Sequence, residues 1–313
     1  MLDGRHEDPT QFDPVTGPRH GLNMKIRADE RVETMVAGGL QRLQLAGVSE
    51  AEIPQALKTV EAGVTERGPG AHPLTGPVFI AGAEPGDVLE IRIVAIEFLH
   101  LFGVNTFSPG LGIVPEEYPY SYARLLRWAP GSDHVEFAPG VSLKLAPFFG
   151  SIGVAPPALS GRISSRPPGS HGGNLDNKDL VVGSTLYLPV HVPGALLSVG
   201  DGHAMQADGE VTGTALETSL RGTFELRVRK GQRLRWPRAE TPTDYISMGT
   251  DEDLKTATTI AVQEMVDFLA ATRKLTKHEA YQLVSMAGNV AVTQLVDRPV
   301  YGVHVKMPKS IFK

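Results

Sequence analysis

Apolar and polar residues alternate along several short segments of the chain, which predicts β-strands. From Pro77, the segments VFIAG and VLEIRIVAIEFL flank the turn sequence EPGD, which predicts a half-buried hairpin. Residues 99–123, rich in glycine, proline and aromatic residues, are predicted to form a long loop. Further short strands are predicted for HVEFA, VSLKLAPF, STLYLPVHV, EVTGTALETSLRGTFELRVRK, QRLRW and, near the C-terminus, VYGVHVKMP.

The apolar spacing changes to a helical period after Trp236. Asp251 is the predicted N-cap of a first helix, and Thr276 with Glu279 forms a capping box at the start of a second. The first helix is predicted to bury Leu254, Ala257, Ala261, Met265, Phe268 and Leu269, and the second Ala280, Leu283, Val284 and Ala287.

These patterns predict a mainly β protein in three parts. Residues 1–65 are expected to form an N-terminal arm with short helices, 66–236 a β-rich catalytic core, and 237–313 an α+β part with the helical pair, packed on the core. In the first part, Ser49 and Glu52 predict a capping box for a helix that ends at Gly63.

Composition narrows the function classes. With 41% hydrophobic and 21% charged residues, the chain has the composition of a globular protein. A net charge of -5 without long runs of like charge argues against a nucleic-acid partner. No segment is apolar enough for a membrane span or a signal peptide, so we expect a cytoplasmic protein without a membrane partner. The absence of cysteine leaves His, Asp, Glu and Asn as the ligands for any metal.

Two glycine-rich polar segments carry the candidate chemistry. In GDGH, Asp201 and His203 are two residues apart, so an extended backbone points both side chains to one face, as half of a metal site requires. In QADGE, a turn at Gly209 would swing Glu210 toward the same point. Each Asp-Gly pair is equally typical of a simple turn. However, the segment GSHGGNLDNKDL lies only about twenty residues away, across the strand STLYLPVHV, so the two polar turns can meet.

Other catalytic classes lack their sequence signatures. The serines do not occur in a G-x-S-x-G elbow, which argues against a serine hydrolase. No G-x-G-x-x-G or Walker A sequence joins a strand to a helix, so no nucleotide cofactor is expected.

The run GGNLDNKDLVVGSTLYLPVHVPGALLSVGDGHAMQADGEVTGTALE resembles the acetamidase/formamidase family. The segments HPLTGPVFIAGAEPGDVLEI, IGVAP, DYISMGTDEDLKTA and SMAGNVAVTQLVD extend the resemblance over about residues 70–308. The resemblance implies a β-sandwich or barrel-like body, in a homo-oligomeric hydrolase that converts formamide, acetamide or another small aliphatic amide to ammonia and a carboxylate. It also implies a divalent metal that activates water, with zinc preferred to calcium or manganese.

The resemblance also suggests roles for individual residues. Asp201 and His203 would hold the metal, with Asp176 and His72 completing its ligand set. Asn174 would donate to the substrate carbonyl or orient the ligands, and Glu210 would be the general base. Two alternatives are a non-catalytic β-rich module that binds a divalent cation or small ligand, and a hydrolase acting on another C–N bond, such as that of a lactam.

Overall fold

A computed structural model describes residues 46–53 and 68–313, two short strands at Met24–Lys25 and Arg31–Glu33, and residues 55, 58, 59 and 62. The backbone N–H and the hydroxyl of Ser49 both donate to the carboxylate of Glu52, at 3.0 and 2.7 Å. The helix predicted to begin at Ser49 has its expected end, Gly63, outside the described residues. Residues 1–23 of the N-terminal arm also lie outside them.

The described residues form two main sheets, whose strands are numbered along the chain. The smaller sheet has the spatial order β1 (Met24–Lys25), β3 (Leu74–Phe79), β12 (Leu197–His203), β9 (Phe148–Gly153) and β10 (Gly172–Asn174). The larger sheet has the order β16 (Asn289–Gln294), β17 (Tyr301–Pro308), β15 (Asp244–Asp251), β14 (Arg238–Glu240), β11 (Thr185–Pro189), β4 (Val88–Phe98), β13 (Leu220–Arg229) and β2 (Arg31–Glu33). Two separate hairpins are β5 (Phe102–Phe107) with β6 (Tyr122–Arg127) and β7 (His134–Ala138) with β8 (Val141–Lys144).

The main core lies between the two sheets. Leu89, Ile91 and Ile93 of β4 pack in one buried cluster with Phe149 and Ile152 of β9, and all five side chains are fully buried. Such face-to-face packing requires strands that are apolar on the inner face, which the sequence VLEIRI of β4 provides. The buried core therefore fixes β9 and its neighbours in a rigid framework.

Two helices, α1 (Leu254–Arg273) and α2 (Lys277–Ala287), cover β15 and β17. The side chain of Asp253 accepts from the N–H of Thr256, so Asp253 is the N-cap of α1 and the prediction of Asp251 was wrong by two residues. The capping box of Thr276 and Glu279 at α2 is confirmed. Among the described residues, neither helix has the combination of length and hydropathy that a membrane span requires. The buried residues of the two helices are Ala257, Ala261, Met265, Val266, Leu269, Ala280 and Val284.

Several other local predictions were wrong: the segment QRLRW contains no strand, and Leu254, predicted to be buried, is exposed. The segments on either side of EPGD do not form a hairpin, because β3 pairs in the smaller sheet and β4 in the larger one. The turn between them carries the chain across the core, and Asp87 there accepts from Lys230 at 2.6 Å and from the N–H of Glu84 at 2.9 Å. The predicted long loop 99–123 contains β5, which pairs with β6.

The predicted fold class, mainly β with a helical pair near the C-terminus, is confirmed. Strands β14 to β17 extend the same sheet that contains β4 and β11. The α+β part is therefore joined to the β-rich part by continuous strand pairing, and the domain boundary at residue 236 stays a prediction.

Candidate metal and active site

The two polar segments meet on either side of β9. Asn174 of β10 and Gly200 of β12 both lie opposite Ser151, one on each side of this strand. Their side chains and loops are therefore brought together by strand pairing, which no local feature of either segment could achieve alone.

Asp201 and His203 converge, as the sequence predicts. His203 Nε2 lies 3.4 Å from Asp201 Oδ1, and both side chains are buried. Asp201 has a left-handed backbone with φ +59°, so the strand is locally distorted where the carboxylate enters the site. His203 packs edge-on against Phe148, with the ring centroids 5.0 Å apart.

Asp176 and Asn174 are buried beside this pair. Asp176 Oδ1 lies 3.9 Å from His203 Nδ1. The amide nitrogen of Asn174 donates to Asp176 Oδ2 at 2.7 Å and to Asp297 Oδ2 at 3.0 Å, while the hydroxyl of Ser151 donates to its amide oxygen. Both amide hydrogens of Asn174 are thus engaged by carboxylates, which favours the orienting role over donation to a substrate.

Gln206 determines how His203 presents its ring. Its side-chain oxygen lies 3.0 Å from His203 Nδ1, and its nitrogen donates to the carbonyl of Asp176 at 2.8 Å. Since an amide oxygen only accepts, Nδ1 carries the hydrogen in this contact. His203 Nε2 then faces the carboxylates, an arrangement typical of metal-binding histidines.

Glu210 is buried and lines the cavity of the site. The neighbouring Gly209 exchanges two backbone hydrogen bonds with the C-terminal part, from its N–H to the carbonyl of Thr293 at 3.0 Å and from the N–H of Leu295 to its carbonyl at 3.1 Å. Lys178 forms an ion pair with Asp208. The turn at Gly209 therefore holds Glu210 in the site, while Asp208 faces outward.

Sequence reasoning missed two carboxylates. Glu217 Oε1 lies 3.3 Å from His203 Nε2, and Asp297 accepts from Asn174. Glu217 ends the motif GTALE and Asp297 ends SMAGNVAVTQLVD, so both belong to segments that carry the family resemblance, which was the available signal.

His72 lies at the rim of the cluster. Its Nε2 is 3.9 Å from Asp201 Oδ2, and its Nδ1 contacts the carbonyl and hydroxyl of Ser165 at 3.2 and 3.1 Å. The structure thus brings together all six residues singled out in the sequence, and their individual roles stay predictions.

Five buried carboxylates belong to the site, each with at most 8% of its surface exposed: Asp176, Asp201, Glu210, Glu217 and Asp297. Burial raises the pKa of Asp176 and of Glu210 well above their usual ranges, with further contributions from neighbouring carboxylates. Burial and the Glu210 charge raise the pKa of Asp297 to about 8. Burial opposes ionisation of Asp201, but the charges of His203 and His72 outweigh it and lower this pKa to about 2.

The neighbouring carboxylates in turn change the pKa of His203. Burial lowers its pKa, but the carboxylates of Glu217 and Asp201 outweigh burial and raise the pKa well above its usual range. The position next to His203 Nε2 therefore favours positive charge, which either a proton or a metal ion can supply.

The donor set fits a divalent cation. Asp201, His203 and Glu217 offer ligand atoms within 4.8 Å of one another, as do Asp176, His203 and Glu210. Three buried atoms there lack a hydrogen-bond partner: Asp176 Oδ1, His203 Nε2 and Glu217 Oε2. A Cβ on Gly150 would lie 2.4 Å from Asp176 Oδ1, 2.6 Å from Asp201 Oδ2 and 2.8 Å from His203 Cε1, so glycine at this position keeps the space between the ligands open.

A cavity of about 50 Å³ adjoins the cluster. A cavity of this volume accommodates roughly three to five waters, or an organic molecule with about as many heavy atoms. Its walls combine Asp201, Glu210, Glu217 and Asp297 with the small or apolar residues Ala71, Leu111, Gly112, Gly213 and Val296.

The metal-free protein is expected to lose thermal stability as the pH rises from about 4 to 8. The unfolded chain releases the Asp297 proton near its ordinary pKa of 3.8, whereas the folded state holds it up to about 8. The stabilisation that Asp297 contributes is thus complete below about pH 4 and is lost as the pH rises through this window. Thermal unfolding in the presence of a chelator measures this slope, and Asp297→Asn should flatten it. An equal slope in the variant would contradict the assignment.

Comparison with known proteins gives concordant matches. Residues 68–160 and 160–313 match the model of the "Acetamidase/Formamidase family". The crystal structure of an acetamidase from Bacillus halodurans is 32% identical, with a TM-score of 0.75, and the match covers 93% of this chain and 92% of that one. The structure of a predicted acetamidase/formamidase from Thermoanaerobacter tengcongensis is 31% identical, with a TM-score of 0.78 and coverage of 92% and 89%.

Among curated proteins, the acetamidase of Mycolicibacterium smegmatis is 26% identical over 45% of this chain and 49% of the relative. The chain therefore spans about half the length of the curated relatives it matches.

Proposed function

Because this chain belongs to the acetamidase/formamidase family, we propose that it hydrolyses small linear amides to ammonia and a carboxylate. The observation that carries the proposal is the small cavity, whose wall brings four buried carboxylates together beside the unpartnered His203 Nε2. An amide is a weak electrophile with a poor leaving group, so its hydrolysis needs an activated water and a proton donor. Clustered carboxylates and a cation site are suited to both tasks.

We further propose that the site binds a divalent cation through Asp201, His203 and Glu217, with Asp176 and His72 as the adjoining candidate ligands. The imidazole nitrogen favours zinc, while the many carboxylate oxygens keep calcium and manganese as alternatives. When bound, the cation supplies Lewis-acid activation of water or of the amide carbonyl.

Glu210 is the proposed general base. It takes a proton from the attacking water as the new C–O bond forms, and it passes that proton to the nitrogen as the C–N bond breaks. The carboxylic acid then gives its proton to ammonia, so the amide and one water yield a carboxylate and ammonium. Asn174 holds Asp176 and Asp297 in place through its two amide hydrogens.

The cavity wall sets the expected substrate size. Ala71, Leu111 and Val296 provide apolar surface for a short acyl group, and the volume of about 50 Å³ suits formamide and acetamide. A longer acyl chain would have to displace these side chains or the backbone that carries them.

We expect the metal-replete protein to release ammonia from formamide and acetamide, and kcat/KM to fall roughly tenfold or more for each methylene that exceeds the cavity. An enzymatic ammonia assay over a series from formamide to hexanamide, with cyclic lactams included, measures this dependence. Retained cation binding without turnover of any amide would favour the non-catalytic module, and turnover of lactams alone would favour the other C–N hydrolase. The expected homo-oligomer and cytoplasmic location stay predictions from the sequence.

A further inference from the structure

Arg166 stands out among the cavity residues because it brings the opposite charge to a wall of acids. Among the described residues, Arg166 is the only lysine or arginine that lines this cavity. Within the same residues, its guanidinium has no ion pair or side-chain hydrogen bond, and only its backbone N–H is engaged, by the hydroxyl of Ser164 at 3.2 Å. Arg166 thus has an unengaged guanidinium and belongs to a cavity wall that also carries buried carboxylates, so its N–H groups are available to a ligand.

The backbone that carries Arg166 is fixed next to the candidate ligand His72. The N–H of Ser165 donates to the carbonyl of Pro69 at 3.1 Å, and the hydroxyl and carbonyl of Ser165 contact His72 Nδ1. Gly70 allows this close approach, since its φ is +106° and a Cβ there would lie 2.1 Å from Ser165 Oγ. Arg166 is therefore positioned on the same framework as the site.

Few side chains on the cavity wall can donate a hydrogen bond to a ligand. Both amide hydrogens of Asn174 go to carboxylates, and the hydroxyl of Thr214 donates to the carbonyl of Thr106 at 2.9 Å. The carboxylates of the wall only accept when they are ionised. His72 also lines the cavity, but its Nδ1 contacts Ser165, which leaves a single ring nitrogen; Arg166 is thus the lining side chain with several unused N–H donors in a fixed planar arrangement.

We propose that Arg166 binds the acyl oxygen of the ligand: the carbonyl oxygen of the amide as it gains negative charge, and both oxygens of the carboxylate product. This inference rests on the proposed amide hydrolysis and names the residue that opposes the repulsion between an anionic product and the carboxylates of the wall. A guanidinium suits this task because its paired N–H groups match the two oxygens of a carboxylate. As the group that contacts the reacting carbonyl, Arg166 would be a catalytic residue.

The test compares Arg166→Gln and Arg166→Lys with the wild type in metal-replete protein. Arg166→Gln is expected to lower kcat/KM for acetamide by about 10²- to 10³-fold, the usual cost of removing an oxyanion donor. It should also weaken acetate binding, measured by calorimetry, by at least about tenfold, because a charged bidentate contact is lost. Arg166→Lys keeps the charge without the planar geometry and should fall between the two. Arg92→Gln, an exposed arginine of β4 with 59% of its side chain accessible, is the matched control and should behave as wild type.

The two readouts separate failure of this inference from failure of the proposed function. If the wild type hydrolyses amides and Arg166→Gln keeps both its kcat/KM and its acetate affinity, the Arg166 assignment is overturned and the amidase proposal stands. If the wild type hydrolyses no amide, the amidase proposal falls, while acetate calorimetry still decides the role of Arg166 in anion binding. Unchanged acetate affinity in Arg166→Gln, or no acetate binding by the wild type, overturns that role too.

Discussion

Glu210→Gln is expected to lower amide turnover by roughly 10² to 10⁴-fold while the fold and the bound cation are kept. The substitution is nearly isosteric, so it removes the proton acceptor without changing the volume of the buried side chain. Burial, together with the Asp176 charge, raises the pKa of Glu210 well above its usual range, as suits a group that must both accept and return a proton. Steady-state rates with acetamide and metal analysis of the same preparation measure both quantities.

The matched comparisons are Glu217→Gln and Glu136→Gln. Glu217 lies 3.3 Å from His203 Nε2, so its variant should lose cation affinity first and turnover as a consequence. Glu136 is exposed on β7 and its variant should match the wild type. Loss of the cation from Glu210→Gln would instead identify Glu210 as a metal ligand and leave the base unassigned.

Gly150→Ala should abolish or severely weaken cation binding, and turnover with it. The added methyl group would lie within 2.4 to 2.8 Å of Asp176 Oδ1, Asp201 Oδ2 and the ring of His203, closer than van der Waals contact allows. The ligands must therefore move apart. Substitution of residues that only hold metal ligands in place lowers metal affinity by about 10- to 100-fold, and displacement of the ligands themselves should cost at least as much. Metal titration followed by thermal unfolding reports the loss as a missing metal-dependent rise in Tm.

Gly68→Ala is the control for the added methyl group, because a Cβ there meets only the Arg162 side chain at 3.7 Å, an ordinary contact. Circular dichroism of the metal-free proteins checks that both variants fold. A folded Gly150→Ala protein that binds the cation as tightly as wild type would show that the ligands do not enclose the ion at this point.

Local sequence patterns were sufficient wherever the determinant lies within a few residues. The alternation in HVEFA and VYGVHVKMP predicted β7 and β17, and the Thr276 capping box predicted the start of α2, because each depends on neighbours in the chain. The same patterns could not tell which strands pair. A turn such as EPGD is compatible with a hairpin and with a crossing between sheets, and only the burial of β3 and β4 in a common core selects the crossing.

For the site, the sequence by itself limited the available chemistry: without cysteine, a concentration of Asp, His, Asn and Glu in two glycine-rich segments leaves carboxylate, amide and imidazole groups as the candidate ligands. It also placed Asp201 beside His203, since they are two residues apart, although Asp201 has a left-handed backbone rather than the extended one that the prediction assumed. Tertiary structure alone decided that β10 and β12 flank β9, and that Glu217, Asp297 and Gly150 join them. The physical reason is that strand pairing and core burial, which act between residues far apart in the chain, set the distances on which charge, coordination and proton transfer depend.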